Sequence, residues 1–490
     1  MIRRFAAAVC VLAGLGLAGC TVGPKYARPP APAPQAWKTA PPWEVAVPRD
    51  AVPKGTWWTI FNDSQLNAYQ QQLLTANQSL AAAKNRLDQA RALARVASAG
   101  FFPQLTADPS GQRVRASGNR PLLSSKPPIP PDTEYNFMIP FALSYEVDLF
   151  GRVRRNMEAA NAALQSTAAD LANVQLVLAS ELAADYFSLR ELDAETAVVQ
   201  ELVSIERKGL ELVQRRHEGG VANGLEVAQQ AALLDATVAQ VSLLQQQRAQ
   251  YEHALAVLTG NPASTFSVPV APLRTVPPPV PLGVPSDVLE RRPDIATYER
   301  LMAYQNAQVG IATTAFYPHI TLSGSGGWQS RDIATLVNAP STFWSLGSDL
   351  LQPIFSGGRN RANLEAAKAG YNEAVANYRE AVLTAFQQVE DGLSGLQTLS
   401  QALATQRTAV DDSRRALTLA NNRYTGGLTT YLDVITAQTT LLNNERLATQ
   451  LLGQQMVASL YLVKALGGGW DSSEIKNEEV HPRAGQVVQQ

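Results

Sequence analysis

The sequence predicts a mixed α/β membrane protein with an internal two-fold repeat, in which each copy carries a β-hairpin and two very long α-helices. Three observations support this: a recurring motif, runs in which apolar and polar residues strictly alternate, and long proline-free stretches. The motif begins at Gly151 as GRVRRNMEAA and returns at Gly358 as GRNRANLEAA, 207 residues later. A period this long indicates a duplicated domain rather than a solenoid repeat.

The composition excludes several classes of protein. The 490 residues include 41 Lys and Arg against 42 Asp and Glu, so the chain lacks the basic excess of a general nucleic-acid binder. Charged residues make up only 17%, and helix-favouring Ala, Gln and Leu take their place. Beyond the N-terminus no apolar run reaches the ~18 residues of a membrane-spanning helix. A bundle of transmembrane helices is therefore excluded.

Residues 1–19 are predicted to be a signal peptide. Two arginines precede an apolar stretch that is too short to span a bilayer, which is the pattern of secretory signals. The ending Leu-Ala-Gly-Cys resembles the bacterial lipobox, so Cys20 is the predicted lipidation site, and an ordinary signal with an incidental cysteine is the alternative. Thr21, rather than Asp, follows the cysteine, which by resemblance implies the outer membrane. Residues 20–62 would form a lipidated, extended, proline-rich segment.

Repeat 1 (63–260) and repeat 2 (286–468) share one layout. Each begins with a helical stretch and continues with a β-hairpin, predicted at 101–150 and 316–356. The clearest strand alternates apolar and polar residues over 137–149, as a strand with one apolar and one wet face does. Its length is sufficient to cross a bilayer, and a soluble β-hairpin remains the alternative.

A long helical hairpin follows each β-hairpin, at 152–260 and 358–468. The stretch from Arg152 to Glu218 has no proline, so one helix or two end-to-end helices could reach about 100 Å. Its apolar residues keep the three-to-four spacing of a coiled coil. A proline-rich connector (261–285) joins the repeats, and residues 469–490 are predicted to form a flexible tail.

Four strands per chain cannot close a membrane barrel, which requires at least about eight. An open sheet edge in lipid leaves unpaired backbone groups, each costing several kcal/mol. Strands that cross the membrane therefore require oligomerisation: two copies would give eight strands and a filled barrel, and three would give twelve and a lumen.

An ordered set of motifs resembles the outer-membrane efflux protein family, typified by TolC, and within it the lipoprotein (OprM/NodT-like) branch. The set comprises the lipobox, Trp57-x-x-x-Phe61-x-Asp63, two Phe-x-Pro turns, Asp148-x-Phe150-Gly151-Arg152 and Arg291-Arg292-Pro293-Asp294. The resemblance implies a homotrimer in the outer membrane, with a twelve-stranded barrel on a periplasmic helical tunnel. It also implies a periplasmic adaptor and an inner-membrane pump of the RND type as partners.

Two glycine pairs, Gly219-Gly220 and Gly426-Gly427, are predicted to turn the helical hairpins at the periplasmic end and to form the adaptor docking site. After them, Asn223-x-x-Glu226 and Thr430-x-x-Asp433 have the pattern of helix capping boxes. The resemblance gives Tyr424 and Asp433 a role in holding the tunnel closed, with Glu226 as the matching acid of the first copy. The same residues can cap their helices and also help to hold the tunnel closed.

No catalytic or metal-binding pattern is evident, and no cofactor is predicted apart from the lipid on Cys20. The four histidines are scattered, and no phosphate-binding loop precedes a helix. The Arg clusters at 152–155 and 359–361 are interpreted as contacts to lipid phosphates. The sequence thus predicts a non-enzymatic exit duct for small molecules, with a type I secretion duct or a non-conducting coiled-coil lipoprotein as alternatives.

Overall fold

The computed structural model describes residues 21–30, 34, 37–38, 55–115, 117, 133–279 and 291–482. Seven α-helices in these ranges account for most of the fold. Their bounds are α1 Ser64–Ala76, α2 Gln78–Ala99, α3 Arg152–Glu218, α4 Gly224–Leu258, α5 Pro293–Thr314, α6 Arg359–Thr425 and α7 Tyr431–Ala465. Among the described residues, none of the helices is long and apolar enough to cross a membrane.

The two helical hairpins match in length. Helices α3 and α6 have 67 residues each, and α4 and α7 have 35 each. Helix α3 is continuous through Gly209, a residue that permits close packing: a Cβ there would lie 2.6 Å from the hydroxyl oxygen of Tyr431 on α7. At 1.5 Å per residue the long helices span about 100 Å.

One antiparallel sheet lies at the opposite end of the hairpins from the glycine turns. Its strands are β1 Gln104–Ala107, β2 Ser110–Arg115, β3 Thr133–Val147, β4 His319–Ser330 and β5 Thr342–Leu351. Strands β1 and β2 pair in succession with β3, which pairs with β4, and β4 pairs with β5. Strands β1 and β2 are separated by Asp108 and Pro109 and pair with successive parts of β3, so together they occupy one position in the sheet. The five strands therefore fill four positions.

The main hydrophobic core lies in the middle of the helical part of the molecule. Trp57 and Trp58 pack there with Tyr186 of α3, Tyr378 of α6 and Met456 of α7. Asp63 connects this core to α1: its carboxylate accepts the backbone N–H groups of Gln65 and Leu66 and the hydroxyl of Tyr186. A second apolar cluster lies nearer the glycine turns and includes Val213, Tyr424 and Tyr431.

The helical stretch at the start of the first repeat is two helices, α1 and α2. Asn77 separates them, because its extended backbone ends α1 while its side chain accepts the Leu80 N–H and so caps α2. Its amide also donates to the Leu258 carbonyl at 2.9 Å. The break thus positions the first repeat's short helices against the end of α4.

The flexible-tail prediction for 469–490 is wrong over residues 470–482. A short 3-10 helix spans Ser472–Asn477, and Ile475 is buried against α3 and α5. Glu478 pairs with Arg91 of α2, and the Val480 backbone exchanges hydrogen bonds with Asn161 of α3. Polar composition alone did not reveal these tertiary contacts; residues 483–490 lie outside the described ranges.

Candidate functional site at the helical turns

Both glycine pairs form the same tight reversal. Gly219 and Gly426 keep helical backbone angles, whereas Gly220 and Gly427 have φ of 70° and 73°. In each turn the next residue's N–H returns to a carbonyl five residues earlier, at 2.8 and 2.9 Å, which is the Schellman pattern. The second glycine of each pair is thus the one that supplies the left-handed backbone.

Tyr424 joins the two hairpins immediately beside these turns. Its hydroxyl, at the end of α6, donates to the carboxylate of Glu226 on α4 at 2.9 Å. The Tyr431 ring of α7 lies 4.8 Å from the Tyr424 ring, in an edge-on arrangement. Arg216 of α3 places its guanidinium 4.6 Å from the centroid of the Tyr424 ring. The ends of α3, α4 and α7 therefore all contact this one tyrosine at the end of α6.

The electrostatics favour this hydrogen bond. Burial raises the pKa of Tyr424 to about 12, and the Glu226 carboxylate adds to the increase. The phenol consequently keeps its proton at neutral pH and remains a donor. The guanidinium over the ring face adds a cation–π contact.

Asp433 lies apart from this cluster. It is exposed, and its carboxylate accepts the hydroxyl of Thr429 within its own turn. The structure therefore brings two of the three predicted closing residues together, Tyr424 and Glu226, and leaves the third at the surface.

The capping-box interpretation is half correct at one turn and wrong at the other. Asn223 accepts the Glu226 N–H at 3.0 Å, as an N-cap residue does, but the Glu226 carboxylate is bound to Tyr424 rather than to the cap. Thr430 makes no side-chain capping bond, and the Asp433 carboxylate accepts the Thr429 hydroxyl instead of reaching back to the cap.

Arg216 is a site residue that the sequence interpretation missed. The internal repeat gives one indication that Arg216 lies at the site. At the offset of 207 residues it corresponds to Arg423, which directly precedes Tyr424. The ring contact itself joins residues 208 positions apart, so it becomes visible only in the folded chain.

Cys20 lies outside the described residues, and the segment after it is docked where the sheet meets α3. The Val22 N–H donates to the Phe150 carbonyl at 3.1 Å, and the buried Arg155 donates to the carbonyls of Val22 and Gly23. A Cβ on Gly151 would lie 2.8 Å from the Thr21 side chain. The first described residues therefore begin beside the helical end of the sheet.

The first Arg cluster, predicted to contact lipid phosphates, forms ion pairs within the chain. Arg152 pairs with Glu146, and Arg154 pairs with Asp148, so the cluster fixes the end of β3 to the start of α3. In the second cluster Arg361 pairs with Glu365 at the surface. The described ranges contain no group of three or more His, Cys, Asp or Glu that could hold a metal ion.

Known proteins share both the sequence and this fold. The chain is 33% identical over 464 residues to the pyoverdine export outer membrane protein OpmQ of Pseudomonas aeruginosa, covering 94% of this chain and 96% of OpmQ. The outer-membrane channel OprN matches with a TM-score of 0.84 at 29% identity, over 92% of this chain and all of OprN.

VceC of Vibrio cholerae matches with a TM-score of 0.78 at 29% identity, over 86% of this chain and 100% of VceC. The sequence model of the outer membrane efflux protein family matches residues 69–261 and 284–468. With most of its length matched in this way, the chain belongs to the outer membrane efflux protein family.

Proposed function

We propose that this protein is the outer-membrane exit duct of a tripartite efflux system. In the proposed assembly three copies close one twelve-stranded barrel, and their helices continue into the periplasm as a tunnel. An inner-membrane pump of the RND type would deliver small molecules through a periplasmic adaptor. The observation that carries the proposal is the sheet, which has one apolar face, one polar face and two open edges.

The strand register sorts the side chains of the sheet by polarity. Across β3, β4 and β5 the aligned sets on one face are Val147–Ile320–Leu350, Leu143–Gly324–Leu346 and Phe141–Gly326–Trp344. The sets on the other face are Glu146–Thr321–Asp349, Ser144–Ser323–Gly347 and Ala142–Ser325–Ser345. On the apolar face Trp344 is 79% exposed and Leu346 is 72% exposed. Lipid would cover this face, while the polar face would line a lumen.

The open edges support closure by oligomerisation. Among the described residues, strand β5 pairs only with β4, and β1 and β2 pair only with β3. In hydrocarbon, each unpaired backbone group would cost several kcal/mol. A rotation that pairs β5 of one copy with β1 and β2 of the next satisfies both edges. Three copies with four strand positions each give the proposed twelve strands, enough for an open lumen.

The helical turns are the proposed adaptor docking site. Apart from the two neighbours in the chain, no described residue has an atom within 4 Å of where a side chain would begin on Gly220 or Gly427. The residues that follow these glycines, Val221 and Leu428, are 70% and 73% exposed. Apolar side chains at a tip with open space around it fit a partner that packs against the turns.

The proposed constriction uses the contacts beside the turns. The bond between Tyr424 and Glu226 ties the two hairpins of one chain together, and the exposed Asp433 would add a carboxylate to the narrow end. Opening would separate the hairpins and break the bond. The proposed lipid on Cys20 would anchor the chain at the periplasmic side of the barrel, where Thr21 and Val22 are docked.

Cysteine cross-linking tests the trimer. Thr106 of β1 and Ser345 of β5 lie on the same polar row, with β3 and β4 between them, so within one chain they are about 14 Å apart. A short bismaleimide linker applied to Thr106→Cys with Ser345→Cys should yield a ladder that ends at a covalent trimer. Each single variant is the control and should stay monomeric. A ladder that ends at a dimer, or none, would refute the trimer.

Single-channel conductance in a planar bilayer tests the duct. A mostly closed wild type whose conductance rises in Glu226→Ala with Asp433→Ala would support both the duct and the acidic constriction. Conductance that these substitutions leave unchanged would retain the duct and refute the constriction. If inserted protein conducts in neither form, the duct is refuted in favour of a tethering lipoprotein.

A further inference from the structure

A carboxyl group that has no charged partner among the described residues lies in the core near the helical turns. Glu206 of α3 and Gln230 of α4 are completely buried, and Tyr431 of α7 is almost so. The Thr237 hydroxyl donates to Glu206 Oε1 at 3.2 Å, and the Gln230 amide donates to the Glu206 backbone carbonyl at 2.9 Å. The second carboxyl oxygen, Oε2, has no hydrogen-bond partner among the described residues.

Two further buried polar atoms in this place lack partners within the described part of the chain: Gln230 Oε1 and the Tyr431 hydroxyl. Gly209, one turn along α3 from Glu206, brings them together. A Cβ on Gly209 would lie 2.6 Å from the Tyr431 hydroxyl and 3.3 Å from Gln230 Nε2. The three helices therefore bury a small cluster of polar groups.

The hydrogen bonding around Glu206 favours its neutral form. If Glu206 is ionised, its Oε2 is a buried charged oxygen without a partner among the described residues. Its Oε1 accepts the Thr237 hydroxyl, which has a single hydrogen and also lies 3.0 Å from the Leu233 carbonyl oxygen. Each buried acceptor without a partner costs about 1–3 kcal/mol. A proton on Glu206 removes the uncompensated charge and provides a second donor.

We propose that Glu206 holds a proton while the two helical hairpins are packed together, and that this proton is a pH-sensitive latch at the constriction. Loss of the proton places a charge in the core and favours separation of α7 from α3 and α4. Only the effect on conduction rests on the proposed function; the proton site itself rests on the packing.

The surroundings of Glu206 support a neutral acid. Burial raises the pKa of Glu206 to about 7, and only the Thr237 hydrogen bond opposes this. From α4 it faces the uncharged Gln230 and Thr237, and from α7 the titratable group near it is Tyr431. Burial, and then the neighbouring Tyr424 and Glu206, raise the pKa of Tyr431, so this phenol stays neutral. On α3 itself the adjacent cations at 207 and 208 are exposed.

The sign of the pH dependence follows from the direction of the shift. Because the pKa is raised from 4.5 to about 7 in the packed state, the stabilisation is complete below the solvated pKa. It is lost as the pH rises through about 7. Between pH 6 and pH 8 the ratio of packed to separated hairpins should fall about tenfold per protomer.

Infrared difference spectra of the full-length protein in detergent test the proton site directly. The carboxylic-acid band that disappears between pH 6 and pH 8 should contain a component that is absent in Glu206→Gln. Glu201→Gln, an exposed change of the same charge on the same helix, is the matched control and should retain the component. An identical titration in Glu206→Gln would overturn the proposal.

A second variant decides the matter if Glu206→Gln does not assemble. Thr237→Val removes the one hydrogen bond that favours the ionised form, so the Glu206 component should titrate at a higher pH than in the wild type. An unchanged midpoint would refute the assignment.

Conductance then separates the latch from the duct. Open probability should rise about tenfold or more from pH 6 to pH 8 in the wild type and in Glu201→Gln, and stay flat in Glu206→Gln. Channels that conduct without a titrating Glu206 would refute the latch and leave the duct. A titrating Glu206 in an inserted protein that does not conduct would refute the duct and leave the proton site.

Discussion

Replacing Tyr424 with Phe should loosen the proposed constriction without disturbing the fold. The change removes the hydroxyl that donates to Glu226 at 2.9 Å and keeps the ring. The ring contacts with Tyr431 and with the Arg216 guanidinium, at 4.8 and 4.6 Å, are therefore retained. The expected effect is confined to the link between α6 and α4.

The magnitude follows from the kind of bond and its exposure. A hydrogen bond to a charged group contributes about 1.5–3 kcal/mol. Tyr424 is buried but Glu226 is only half-buried, so solvent competes for the carboxylate and the lower value applies. A loss of about 1.5 kcal/mol shifts the closed-to-open ratio about tenfold per protomer. If three protomers open together, these factors multiply.

Open probability in planar bilayers measures this shift. Tyr461→Phe is the matched control, because Tyr461 of α7 is half-exposed and removing its hydroxyl should have no effect. Adding Tyr424→Phe to Glu226→Ala should change little beyond Glu226→Ala alone, since both remove the same bond. Equal open probability in Tyr424→Phe and wild type would refute the reasoning, as would an equal rise in Tyr461→Phe.

Three further predictions concern thermal unfolding of the detergent-solubilised protein. Gly453→Ala should destabilise the protein by about 1–3 kcal/mol, because the new Cβ would lie 2.3 Å from the Glu191 side chain. Gly395→Ala is the matched control: the space around Gly395 is open, so this change should stabilise the protein by up to about 1 kcal/mol. Asp193→Asn should cost about 3–5 kcal/mol, because the buried carboxylate pairs with Arg248 at 2.7 Å; an unchanged Tm would contradict this. Burial and a neighbouring carboxylate raise the pKa of Glu191 to about 8, so the wild-type Tm should fall as the pH rises through 8, and Glu191→Gln should remove that fall.

Local patterns predict most of the secondary structure. The 67-residue helix from Arg152 follows from the absence of proline, and β3 follows from a two-residue alternation that places its apolar residues on one face. Features that depend on distant partners could not be predicted in this way. Asn77, at the break between α1 and α2, and Val480, in the docked segment 470–482, each bond to a residue more than 150 positions away.

The candidate site likewise has local features that the sequence predicts and long-range contacts that it does not. The glycine turns and the acids after them are visible in the sequence, because a tight reversal and a helix start constrain residue type locally. The bond between Tyr424 and Glu226 joins positions 198 residues apart, and no local pattern distinguishes Glu226, which forms it, from Asp433, which does not. The burial of Glu206 is equally a property of three helices together.

The duplicated copies supply different groups to the proposed constriction. At the offset of 207 residues, Tyr424 corresponds to His217, which bonds to the Ala222 carbonyl in its own turn, and Tyr431 corresponds to Gly224. The second copy therefore supplies both rings, whereas the first supplies Arg216 and Glu226. Asn223 caps its helix by accepting the Glu226 N–H, and the Glu226 carboxylate bonds to Tyr424 of the other hairpin. The link between hairpins therefore arises from the divergence of the copies, and restoring their equivalence with Tyr424→His should weaken it.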